Sequence, residues 1–359
     1  MPVVRNSIDS PSRASRTAEQ PVRTRLLIIG NRGGTNIGES LERSARSLLV
    51  EAAMLASQQA MEGSALLRRI KWRLLGRRPL RLSGFSQKVI RYCEQWRPKV
   101  LLTTGLAPVT GAALRRLGEM GIIRCNFATD DPWNPAHRAS WFLRALREYD
   151  HVFTPRRDNM DDFRRFVRRV TYLPFGYDPD LFYPVSLTPD DYREYESDVM
   201  FAGGADADRV PYIAALHKAG LKVGLYGSYW ERYRETRPLT RGQIGVAELR
   251  KAIAASRSVL CLVRRANRDG HSMRTFEAPA VGAAMLVEDT AEHREIFGEE
   301  GRAVLYFRGL DEMVNKARRL AAGEQERRRL ADAAHQLITG GPNTYQHRLN
   351  AILETLDCE

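Results

Sequence analysis

The stretch Arg25–Leu49 reads RLLIIGNRGGTNIGESLERSARSLL, and its three parts set the fold class. RLLIIG is a short apolar run closed by a glycine, the pattern of a buried strand. A glycine-rich turn follows, and Leu41, Ala45, Leu48 and Leu49 then recur at helical spacing. Strand, glycine loop and helix in that order open a wound α/β domain.

Further short apolar runs follow at Lys99–Thr103 (KVLLT), Ile122–Ala128 (IIRCNFA) and His151–Thr154 (HVFT), separated by helical stretches such as Val109–Met120. This alternation predicts a largely parallel sheet. A charged helix is expected over Asp161–Arg169. Tyr172–Pro184 (YLPFGYDPDLFYP) then concentrates proline, glycine and aromatic residues, the composition of an inter-domain connection. A second alternating series begins at Asp198–Phe201 (DVMF) and runs through Val223–Tyr226 (VGLY), Ser258–Val263 (SVLCLV) and Ala284–Val287 (AMLV). Leu310–Leu356 is almost all helical in pattern. The chain therefore divides into a segment expected to be disordered (1–24), an N-terminal Rossmann-like domain (25–175), a C-terminal Rossmann-like domain (176–335) and a C-terminal helix that can cross back to the first domain (336–359).

The length of 359 residues suits two domains of roughly 150 residues each. Hydrophobic residues make up 43% and charged residues 28%, too polar for a membrane-spanning protein. The longest apolar runs, such as Val259–Val263 and Ala278–Val287, fall short of the ~20 residues a transmembrane helix needs. Met1–Arg25 is rich in Ser, Arg and Pro, has no apolar core of a secretory signal, and carries Asp9 and Glu19, which a transit peptide avoids. Cys93, Cys125, Cys261 and Cys358 show no metal-ligand spacing and are too few for a disulfide framework, so a reducing cytoplasm is expected. The net charge is +13, and much of the excess is local. Leu66–Arg81 reads LLRRIKWRLLGRRPLR, with Leu67, Ile70, Leu74 and Leu75 on one helical face flanked by arginines. That pattern fits either a solvated basic helix or peripheral contact with the anionic inner face of a cell membrane. Nucleic acid is disfavoured as a partner because no recognised binding module accompanies the charge.

The segment richest in chemistry is Arg268–Thr290, RDGHSMRTFEAPAVGAAMLVEDT, between two expected strands. Gly270, His271 and Ser272 can form a turn opening a helix whose free N–H groups face an anion, and Arg274 adds a fork of charged donors. Glu277, one helical turn on, can accept from ribose hydroxyls. The plainer alternative is a capped helix with an exposed Arg274–Glu277 pair. Thr129, Asp130 and Asp131 end an expected strand, where open α/β sheets place their binding crevice. Asp130 or Asp131 is a candidate base, against a plain turn before Pro132. Gly33, Gly34 and Thr35 form a phosphate or acceptor loop or else a tight turn, since their spacing is not that of a dinucleotide fingerprint.

HSMRTFEAPAVGAAMLVEDT resembles the donor-site signature of GT-B glycosyltransferases and, within them, of the CgeB-like spore-maturation family. Asp198–Gly204 (DVMFAGG) with Arg209 resembles that family's first C-terminal strand and loop, and Gly242–Leu249 (GQIGVAEL) the stretch that lies against the nucleobase. The resemblance spans roughly residues 95–355, with a looser match through IIGNRGGTNIGESL. It implies a GT-B fold, two Rossmann-like domains facing a central cleft. It implies a glycosyltransferase of hexosyltransferase type, working in polysaccharide biosynthesis on a glycan, lipid-linked or protein acceptor. Gly203, Gly204, Arg209, Gly242, Asp269, His271, Ser272, Arg274 and Glu277 would form the donor site. Glu277 would hold the ribose; His271, Ser272, Arg274 and Arg209 would hold the diphosphate. Asp269 stands where many retaining relatives carry a sugar-contacting glutamate, so its role stays open. No resident cofactor is expected beyond the nucleotide-diphosphate sugar as co-substrate. No Cys/His cluster suggests a metal, and the arginines with a helix N-terminus can stabilise the leaving group instead. A nucleotide-sugar 2-epimerase on the same fold and a non-catalytic surface or spore-assembly protein are the alternatives.

Overall fold

The computed structural model describes residues 24–64 and 76–357. The N-terminal segment, Cys358 and residues 65–75 of the basic stretch lie outside the described residues.

Six parallel strands form the first sheet: β1 (Arg25–Gly30), β2 (Glu51–Ala56), β3 (Val100–Thr104), β4 (Ile123–Phe127), β5 (His151–Thr154) and β6 (Arg169–Tyr172), in the order β2-β1-β3-β4-β5-β6. Five more form the second: β7 (Val199–Ala202), β8 (Val223–Tyr226), β9 (Val259–Cys261), β10 (Met285–Glu288) and β11 (Leu305–Phe307), in the order β11-β10-β9-β7-β8. Every recorded strand pair is parallel. Helices therefore cover both faces, and the strands read as continuous apolar runs because both faces are buried. Leu26, Leu27, Ile28 and Ile29 are fully buried and alternate between two core clusters.

Strand order reverses once in each sheet, between β1 and β3 and between β7 and β9. Loops leaving adjacent strands there diverge to opposite faces, which opens a crevice beyond the strand ends. The two crevices share one cleft, because residues following β1, β3, β7 and β9 line the same hollow.

Local sequence explains most boundaries. The helix Ile37–Ser47 buries Ile37, Leu41 and Ala45, then stops; Leu49 has φ 56° and is 68% exposed, so it falls outside the predicted helical face. The expected helix over Asp161–Arg169 is shorter, Met160–Arg164, and Arg169–Tyr172 instead pairs with β5. Four residues at a sheet edge carry too little alternation to register as a strand. The alanine-rich β2 pairs with β1 along its whole length. The helix Arg274–Val281 tolerates Pro279 and ends at Gly282, whose φ of 93° suits glycine at a helix C-terminus.

Past the second sheet the chain forms the helices Leu310–Ala322, Glu324–Gly340 and Tyr345–Asp357. The last packs against the helix Ile37–Ser47 in the first domain. Tyr177 and Thr344 form a parallel bridge, and Arg348 donates to Phe175 O at 3.0 and 2.9 Å, tying this helix to the inter-domain connection.

Candidate functional site: an arginine-lined interdomain cleft

The cleft is a hollow of about 960 Å³ between the two domains. Its C-terminal wall is built from the loop after β7, the residue after β9 and the start of the helix Arg274–Val281. Its N-terminal wall comes from the segments after β1, β2, β3 and β4 and from Arg156 after β5.

On the C-terminal wall, Arg209 is 7% exposed. Nη1 donates to Gly204 O at 3.2 Å and Nη2 to Leu262 O at 3.3 Å, while Nε has no hydrogen-bond partner among the described residues. Burial and then the neighbouring Arg264 charge lower its pKa. Arg264 donates to Asp206 at 3.2 Å, and Arg209 stands 3.7 Å from the same carboxylate. One carboxylate thus serves two guanidiniums, leaving net positive charge at the wall.

Gly203 and Gly204 line the cleft beside these arginines. Gly203 O accepts from Trp230 Nε1 at 2.8 Å, and a Cβ on Gly227 would stand 2.1 Å from that oxygen. The loop is held in close backbone packing that a side chain at 227 would disrupt.

Arg274 and Ser272 also line the hollow where their helix begins; the Ser272 N–H donates to Thr275 Oγ1 at 3.1 Å, and the N–H groups of Thr275 and Phe276 donate to Ser272 O and Met273 O at 3.1 and 3.0 Å. Arg274 Nη1 lies 2.6 Å from Glu277 Oε2, but not in hydrogen-bond alignment; among the described residues Arg274 Nε and Nη1 and Glu277 Oε2 all lack a hydrogen-bond partner. Glu277 is 1% exposed and does not line the hollow. Burial raises its pKa, opposed by Arg274. Glu277 is placed behind Arg274, not facing the cleft.

His271 lies outside the wall. Its Nε2 accepts from Phe175 N–H at 3.1 Å, so Nδ1 carries the proton and donates to Glu292 Oε2 at 2.5 Å. Tyr172 OH donates to the same oxygen at 3.2 Å. Burial lowers the His271 pKa, Glu292 opposing. His271 thus anchors the second domain to the connection, and its place is structural. Gly242 has φ 74° and its carbonyl accepts from Gly227 N–H; it too lies outside the wall.

Asp269 lines the cleft and meets Arg156 Nε at 2.5 Å. Arg156 is 1% exposed and also donates to Ala128 O and Thr129 O at 3.0 and 2.9 Å. Burial raises the Asp269 pKa, with Arg156 opposing most strongly.

The two candidate bases part company. Asp131 is 1% exposed, and both oxygens are engaged by Arg268, at 2.6 and 3.1 Å, so it belongs to a cross-domain ion pair. Asp130 lines the hollow, and a Cβ on Gly105, which has φ 56°, would come within 3.3 Å of Asp130 Oδ2. Thr35 lines the cleft as well. Gly33 and Gly34 are exposed with φ 81° and 59°, and Gly33 N–H donates to Glu39 at 2.7 Å. Among the described residues no cluster of His, Cys, Asp or Glu could hold a metal ion.

Sequence reasoning missed Arg156 and Arg264. Each lies just past a strand end, in TPR and LVRR. The strand-end rule that singled out Asp130 would have found both.

Residues 209–354 match the family described as glycosyl transferase-like. No curated protein matches the chain significantly. Among solved structures, a sucrose-phosphate synthase from Thermosynechococcus elongatus is similar at 12% identity and TM-score 0.66, covering 94% of this chain and all of that one. Anabaena Alr3699/HepE in complex with UDP-glucose is similar at 13% identity and TM-score 0.63, with 94% and 100% covered. A putative UDP-N-acetylglucosamine 2-epimerase from Listeria monocytogenes follows at 12% identity and TM-score 0.55, with 93% and 96% covered. The chain has the GT-B fold, two parallel-sheet Rossmann-like domains facing one cleft.

Proposed function

We propose that the chain is a glycosyltransferase that takes a sugar from a nucleotide-diphosphate donor seated on its C-terminal domain. The observation that carries this reading is the pair Arg209 and Arg274, cationic side chains in the wall of a switch-point cleft whose Nε groups find no hydrogen-bond partner among the described residues. Buried donors are normally satisfied, and a diphosphate supplies the acceptors and charge that two guanidiniums require. The glycosyl transferase-like match over residues 209–354 covers both arginines. The structure of Anabaena Alr3699/HepE with UDP-glucose supports the donor class. The segment HSMRTFEAPA supports a CgeB-like branch.

Arg209, Arg264, Arg274 and the Gly203–Gly204 backbone take the diphosphate, and their charge stabilises it as leaving group without a metal. Ser272 hydrogen-bonds from the helix start. Glu277, buried behind Arg274 with its carboxylate 2.6 Å from the guanidinium, positions that arginine by charge. Asp130 is the candidate base, in place of the ion-paired Asp131. Asp269 faces the sugar from a position set by Arg156. The acceptor, a glycan, lipid-linked or protein hydroxyl, enters along the N-terminal wall past Thr35.

The test is product analysis with UDP-, GDP-, ADP- and TDP-linked hexoses in EDTA. Transfer to an added acceptor, with stoichiometric nucleoside diphosphate, supports the reading. Conversion of the donor sugar with no acceptor consumed assigns a 2-epimerase instead; no turnover with any donor favours the assembly-protein alternative.

A further inference from the structure

A second hollow, of about 640 Å³, lies on the N-terminal domain between Gln59–Glu62 and the helix Leu82–Trp96. Its walls include Arg81, Gly84, Lys88 and Arg91. Spaced by three, four and three residues, these positions share one helical face. The opposite face buries Leu82, Phe85, Val89 and Cys93, so the helix cannot roll its cations away from solvent.

Residues 76–91 carry Arg77, Arg78, Arg81, Lys88 and Arg91 and not one carboxylate. Among the described residues, Arg81 alone of these pairs with an acid, Glu62 at 3.7 Å. Arg77, Arg78 and Lys88 donate to neutral oxygens of Arg138, Ser83 and Gln59. The nearby acid Glu94 lies 4.0 Å from Arg116. The patch is therefore strongly and openly cationic. It also adjoins the cleft, because Glu62 stands in the walls of both hollows.

Resting on the glycosyltransferase reading, we propose that this face seats the enzyme on an anionic lipid surface, so that the cleft meets an acceptor held in that surface. The cations are exposed and spread over several helical turns, an arrangement suited to many phosphate headgroups at once. A small soluble anion would instead be held by enclosed donors.

The test is co-sedimentation of the full chain with vesicles of phosphatidylcholine alone and with 30% phosphatidylglycerol, for wild type and Lys88→Glu/Arg91→Glu. Both positions are exposed, and thermal unfolding and nucleoside diphosphate binding check that the variant keeps its fold and donor site. The expected result is binding to anionic vesicles only, weakened at least about 30-fold in the variant, since each of the two cations removed contributes roughly a factor of five near such a surface and the introduced carboxylates are repelled by it. Absence of binding by the wild type, or equal binding by the variant, overturns the proposal. Inorganic pyrophosphate or a single-stranded oligonucleotide bound through Lys88 and Arg91, with vesicles ignored, also overturns it and assigns the face to that ligand. Failure of the vesicle test alongside intact nucleotide binding leaves the glycosyltransferase reading standing.

Discussion

Arg156 and Asp269, from opposite domains, meet at 2.5 Å in the cleft, and Arg268 next door reaches back to Asp131 at 2.6 Å. Two consecutive residues of opposite charge thus dock into partners of opposite charge across the cleft. Reversed polarity at neighbouring positions fixes the register of one domain on the other, since a slip by one residue would juxtapose like charges.

Breaking one member of the buried pair leaves the other charge without compensation. Arg156→Met is expected to destabilise by about 3–5 kcal/mol, and Arg156→Met/Asp269→Leu to recover much of that loss. Urea unfolding of the two single variants and the double variant measures the coupling. Additive losses would show that the two side chains do not act as a pair.

Acid sensitivity follows from the buried histidines. His293 Nδ1 donates to Glu288 O, so Nε2 is unprotonated and accepts from Thr275 Oγ1, and burial lowers its pKa to about 4. A depressed histidine pKa means the unfolded chain binds a proton that the folded chain does not. Its contribution is present above pH ~6.5 and lost, at about 1.4 kcal/mol per unit, as pH falls toward 4. His271 is shifted the same way. Asp269 and Glu277, with raised values, act in the opposite sense, so the total slope is mixed. Comparing wild type with His293→Gln isolates one group: the variant's stability should fall less steeply over that window by close to one proton. Equal slopes would contradict the assignment.

Gly270 and Gly84 should respond oppositely to alanine. A Cβ at 270 would stand 2.4 Å from Glu292 Cδ, displacing the carboxylate that holds His271, whereas a Cβ at 84 meets none of the described residues within 4 Å. Gly270→Ala is expected to cost about 1–3 kcal/mol from overpacking. Gly84→Ala, on an exposed helix, should gain roughly 0.5–1 kcal/mol. Thermal unfolding of the two variants decides.

The wound fold was legible because parallel strands buried on both faces write themselves as apolar runs: RLLIIG and VGLY are strands at the residues expected. The short edge strand RVTY and the alanine-rich EAAMLA were not, because four residues are too few for a period to stand out and an alanine-rich run suits a helix as well as a strand. At the cleft, Arg209, Arg274, Ser272, Asp269 and Asp130 line the wall as their loop positions suggest. Sequence spacing could not tell Asp130 from Asp131. One residue's step turns one side chain into the cleft and the other into Arg268. Nor could it show that His271 serves Glu292 and Phe175, partners distant in sequence that only the packed domains bring together.

The most direct measurement is isothermal titration of the full chain with UDP, GDP, ADP and TDP in EDTA, repeated with Arg209→Ala, Arg274→Ala and Arg274→Ala/Glu277→Gln. Removing one charge-assisted contact of ~1.5–3 kcal/mol should weaken the preferred diphosphate about 10- to 150-fold in each arginine variant. The double variant, which leaves no buried carboxylate unpaired, should fold like wild type and still bind weakly. Wild-type affinity in both single variants, or no diphosphate bound by the wild type, would contradict a donor site built on these arginines.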